Sequence, residues 1–135
     1  MGRSRGGLTT KIHLLADSFG RPVAIALTPG QAHDLTPAAA LLAGQQARYV
    51  LADRAYDAKH MREAVEAIGA EPVIPPNPTR KHPATYDRTR YRQRNQIERL
   101  VSRLKRFRRI ATRYDRRAIY FLAAVQLVAA LDWMR

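Results

Sequence analysis

Cysteine is absent from the 135 residues, which excludes a disulfide framework and a thiolate zinc site and leaves nothing to argue for a secreted compartment. The cytoplasm is the expected location. Long apolar runs are wanting too. The longest, Ala118 to Leu131, is broken by Gln126 and is shorter than the ~20 residues of a membrane span, so it reads as a core helix and no membrane partner is expected. The opening Met-Gly-Arg-Ser-Arg-Gly has Gly6 where a myristoylation signal needs Ser or Thr, and no apolar stretch there resembles a signal peptide. Acidic residues are scarce: 11 Asp and Glu stand against 24 Lys and Arg, a net charge of +13.

The basic excess is localised. Between Arg80 and Arg117 fifteen basic residues meet only three acids (Asp87, Glu98 and Asp115), so twelve of the thirteen excess charges lie there. Arginine outnumbers lysine twenty to four, which suits bidentate contact with phosphate oxygens. A patch of that kind points to nucleic acid as the partner. At 46% hydrophobic residues, a chain of this length can build one core, and a single domain over residues 1–135 is expected.

Along the chain, residues 2–7 (Gly-Arg-Ser-Arg-Gly-Gly) have no period of their own and read as a flexible basic lead-in. Two β-favouring stretches flank the turn Asp17-Ser18-Phe19-Gly20 and predict a hairpin over about 8–28, with Asp17 as a turn residue. Asp34 is the expected N-cap of a short helix over Leu35–Leu42, and the adjacent His33 has no second histidine at metal-ligand spacing. Arg48-Tyr49-Val50-Leu51-Ala52 is a short apolar run, expected as a strand over about 48–53 that ends in Asp53. Functional groups gather at the carboxyl ends of such strands, because loops there open onto a crevice while the sheet holds them still. Asp57 is the expected cap of a helix over Ala58–Ile68 that packs through Met61, Val65 and Ile68 and stops at Gly69. Glu71–Ile74 predicts a last short strand, Pro75-Pro76-Asn77-Pro78 breaks regular structure, and Thr79–Thr89 is a basic loop, either a solvated linker or a phosphate-contacting arm.

A helix is expected over about 88–108, its inner face made by Ile97, Leu100, Val101, Leu104 and Phe107 at steps of three and four. Tyr91, Arg94, Glu98 and Lys105 then form a second stripe at 100° per residue, with Arg92, Arg99, Arg103 and Arg106 on the far side. Glu98 is the lone acid among them. Taken alone it could pair with Arg94 for ~0.3–0.5 kcal/mol. A C-terminal core helix over about 116–133 presents Phe121, Leu122, Val125, Val128 and Ala129.

The spacing Tyr91-x2-Arg94-x3-Glu98-x6-Lys105 matches, at all four positions, the signature that insertion-sequence transposases of the DDE type carry around their last catalytic acid. Arg94-Asn95-x-Ile97-Glu98-Arg99, the run Arg108 to Asp115 and Asp53-Arg54-Ala55-Tyr56-Asp57 also resemble that family, which commonly has Gly where Ala55 stands. The resemblance is read as extending from Gly2 to the end. It implies an α/β, ribonuclease-H-like mixed sheet with flanking helices. It also implies DNA strand cleavage and strand transfer using two Mg²⁺ ions. Asp53 and Glu98 would be catalytic and metal-binding, while Tyr91, Arg94 and Lys105 would contact DNA phosphates beside the cleaved bond. In the family a first catalytic Asp lies on the central strand, upstream of the Gly-Arg-Ser-Arg-Gly-Gly motif. The chain is therefore expected to be the C-terminal part of such an enzyme, lacking the first strand that joins the hairpin to the Tyr49 strand and inactive in isolation. DNA (transposon ends and target) would be its partner, together with an upstream transposase half or a second copy. The alternative is a non-catalytic, arginine-rich DNA-binding remnant or regulator, which needs the arginines but neither acid.

Overall fold

A computed structural model describes residues 2–4, 7–112 and 116–135. In chain order these form strands β1 (Gly2–Ser4), β2 (Gly7–Ala16) and β3 (Pro22–Pro29), helix α1 (Ala38–Leu42), strand β4 (Tyr49–Leu51), a 3-10 turn (Arg54–Tyr56), helix α2 (Lys59–Ala67) and strand β5 (Glu71–Val73). Helix α3 (Arg88–Tyr91), a second 3-10 turn (Arg92–Arg94) and helices α4 (Asn95–Leu104), α5 (Arg108–Thr112) and α6 (Ala118–Trp133) follow. The chain is α/β as expected. It divides into two compact units, one built from residues 1–32 and 95–135 and the other from His33–Arg94. Among the described residues the strands form two small sheets: β1-β2-β3 is antiparallel, and β4-β5 is a parallel pair.

In the first unit the β2–β3 hairpin pairs Thr10 with Pro29 through to Leu14 with Ile25. Its turn is closed by Asp17, whose Oδ1 accepts from the Phe19 and Arg21 N–H groups at 2.9 Å each, while Gly20 supplies the positive φ of 77°. The supposed lead-in contributes β1, which pairs with Gly7–Thr9, so residues 2–4 are structured and not a free arm. Strand alternation turns Ile12, Leu14 and Ala16 to one face, where with Ile25 and Leu27 they pack on a core of Leu100, Leu104, Ile110, Phe121, Val125 and Val128. On the same strand His13, one step out of phase with that set, is buried and shares a 2.6 Å hydrogen bond with the Thr28 hydroxyl. Phe107 departs from the reading: α4 ends at Leu104, and Phe107, beyond the helical period, is 44% exposed.

In the second unit Val50 and Val73 from the parallel pair are buried, as are Leu42, Met61, Val65 and Ile74. Gly69, at φ 78°, ends α2 as expected, with the Ala70 N–H reaching back to the Val65 carbonyl at 3.2 Å. Two caps are corrected. The residue before α1 is Pro37 and that before α2 is Ala58, and neither makes a side-chain cap. The expected cap Asp34 lies three residues early, and Asp57 directs its carboxylate elsewhere.

Candidate functional site

Asp53 stands where the sequence placed it, two residues beyond β4 in a chain whose Ala52 N–H still bonds the Val73 carbonyl. It caps the first 3-10 turn: Oδ1 accepts from the Ala55 N–H at 3.0 Å. Ala55 lies inside that turn, where φ is ordinary, so no strain arises from the lack of glycine. The second oxygen, Oδ2, meets the Arg94 guanidinium at 3.2 Å, with the two side chains 42% and 25% exposed. Tyr56 closes the same neighbourhood. Burial pushes its phenol pKa up, the Asp34 and Asp53 carboxylates push it further, and Arg94 opposes them. Tyr91 is half-buried with its ring edge-on to Tyr86, centroids 5.7 Å apart, on a helix whose N-cap is Asp87.

Glu98 and Lys105 belong to the other unit. Helical residues run in sequence from Arg88 to Leu104, yet not as the one expected helix of 88–108. Tyr91 lies in α3, Arg94 in the Arg92–Arg94 3-10 turn and Glu98 in α4. Within the unit, Glu98 lines an open groove along α4 with Asn95, Arg99, Ser102, Arg103 and Arg106. Lys105 follows the last helical residue and is exposed. The Arg113-Tyr114-Asp115 end of the family-like run lies outside the described residues.

Two groups of contacts escaped the sequence reading. Asp57, 3% exposed at its side chain, accepts from Arg62 Nη2 at 2.9 Å, Arg80 Nε at 2.7 Å and the Asn77 N–H at 2.6 Å. It thereby ties the proline-rich segment to the start of α2. Burial pushes its pKa up, but those donors outweigh burial and hold it below the ordinary value. Arg103, placed with Arg92, Arg99 and Arg106 on the far side of the helix, is a clamp. Its Nε meets Asp132 Oδ1 at 2.8 Å, and its Nη2 meets Asp132 Oδ2 at 3.1 Å and the Gly20 carbonyl at 2.7 Å. The Arg103 hydrogen bonds hold the Asp132 carboxyl below its usual range despite burial. No local signal marked the enclosure of Asp57, because its partners lie 5 to 23 residues away.

A basic α/β chain with a carboxylate at a strand end and an arginine-lined helix face belongs to the class suited to polyanionic partners. The family description "Transposase DDE domain" matches residues 2–133. The chain is 40% identical over 130 residues to the "Putative transposase for insertion sequence element IS6501" of Brucella ovis, covering 95% of itself and 100% of that relative. It is 33% identical over 128 residues to the "Putative transposase for insertion sequence element IS402" of Burkholderia cepacia, covering 86% of itself and 57% of that relative. No solved structure matches it. The chain belongs to the DDE transposase family of insertion sequences, whose enzymes are of the polynucleotidyl-transferase type. Among the described residues no helix is long and apolar enough to cross a membrane.

Proposed function

We propose that this chain takes part in DNA strand cleavage and strand transfer of an insertion sequence. Asp53 and Glu98 are its catalytic acids, and Tyr91, Arg94 and Lys105 contact phosphates beside the cleaved bond. The observation that carries the reading is the setting of Asp53. Its carboxylate is fixed by the Ala55 N–H at the end of a parallel strand, is open to solvent, and has a guanidinium within reach that a phosphate could recruit. A ribonuclease-H-like arrangement is part of the same proposal.

The family resemblance implies two Mg²⁺ ions, for which Asp53 and Glu98 would be ligands. Among the described residues no three His, Cys, Asp or Glu side chains are grouped to hold an ion, and both Asp53 oxygens already have donors. A further carboxylate from another polypeptide, whether an upstream half or a second copy, is part of the proposal. The exposed Arg99 and Arg106 beside α4 favour one second reading, a non-catalytic DNA-binding regulator that uses the arginines alone.

Cleavage of a labelled duplex carrying the element's end separates the two. The chain is produced with any polypeptide encoded directly upstream and assayed in Mg²⁺. Asp53→Ala and Glu98→Ala should each reduce cleavage to background while leaving duplex binding in place. Undiminished cleavage in either variant removes that acid from the site. Binding without any cleavage by the unsubstituted protein selects the regulator.

A further inference from the structure

We propose that Asn95, Arg99, Ser102 and Arg106 form a DNA-seating surface that holds the sugar-phosphate backbone of a duplex along α4, past Glu98. The inference rests on the transposase reading, because it gives a register to the strand that Glu98 would act upon.

Asn95, Arg99 and Ser102, at steps of four and three, lie within about 60° of one line on α4 at 100° per residue, and Arg106 follows two residues beyond the helix end. All four are exposed, whereas Leu100 and Leu104, on the other side of the helix, are buried in the core. All four line the groove that also contains Glu98. Several other arginines are committed: Arg103 to Asp132, Arg62 and Arg80 to Asp57, Arg21 to Asp17. No ion pair among the described residues holds Arg99 or Arg106. Their planar forks match phosphate oxygens, and Asn95 and Ser102 add short neutral donors of the kind that fix register on a backbone. The stripe has no aromatic member, and the single exposed Phe107 at its end is too little to build the stacking platform by which single strands are held. Duplex backbone is the ligand chemistry that remains.

The test measures binding of the full chain to two labelled duplexes of unrelated sequence, and to a single strand, across a salt series. Arg99→Ala and Arg106→Ala should each weaken binding to both duplexes alike and reduce the slope of log affinity against log salt by about 1. Arg99→Lys should restore the slope. Melting temperatures should not change, since no ion pair among the described residues holds either side chain. An unchanged slope, a loss confined to one duplex sequence, or a loss seen only with the single strand overturns the proposal. The cleavage assay on Glu98→Ala is independent: if that variant still cleaves while the arginine variants lose salt dependence, the surface stands and the assigned catalytic role falls.

Discussion

Asp53 and Asp57 are four residues apart in one motif, yet their carboxylates have opposite lives. Asp53 is 42% exposed with one arginine partner; Asp57 is 3% exposed and enclosed by two arginines and a backbone N–H. Removing one member of a buried ionic cluster strands the others. Asp57→Ala should therefore cost roughly 3–5 kcal/mol in urea unfolding, whereas Asp53→Ala should cost under about 1 kcal/mol. The strand-end position of Asp53 was legible because a short apolar run announces its own end. The enclosure of Asp57 was not, because a sequence does not state which distant arginine folds back onto an acid. Arg103 shows the same limit: helical spacing gave it a face, but only the return of α6 gives it Asp132.

At the level of elements, local chemistry was readable and joins were not. The hairpin, its Asp17 turn, the Gly69 stop and the inner face of α6 all depend on residues close in sequence, and each formed as expected. The interruption of the 88–108 helix by a 3-10 turn has no proline or glycine to betray it. β1 was hidden because three residues are too few to show a period. One join can be tested directly. The Gly30 N–H bonds the Thr9 carbonyl at 3.1 Å, and a Cβ on Gly30 would come within 1.7 Å of Thr9 Oγ1, a buried hydroxyl oxygen without a hydrogen-bond partner among the described residues. Gly30→Ala should destabilise the protein by roughly 1–3 kcal/mol, measured by thermal melting, and Thr9→Ala placed with it should recover much of the loss by making room.

For the molecule as a whole, few acids among many bases make each acid matter. Asp17, Asp57 and Asp132 all have pKa values below the ordinary 3.8. At Asp17 burial raises the value, but the hydrogen bonds from the Arg21 N–H, the Arg21 guanidinium and the Phe19 N–H outweigh it. The unfolded chain thus binds protons more readily than the folded one, so these groups stabilise the fold above about pH 4 and lose that contribution as pH falls through their folded values. Urea midpoints should be level near neutrality and drop below about pH 4, and a midpoint that rises on acidification would contradict the assignment. Trp133, the chain's single tryptophan, donates from its indole to the Pro22 carbonyl at 2.6 Å and lies under the Arg21 guanidinium at 4.3 Å. Nature has thus placed one fluorophore at the clasp between the last helix and the first hairpin. Its emission will report the opening of that clasp without a dye, while the half bearing Asp53 stays optically silent in the same channel.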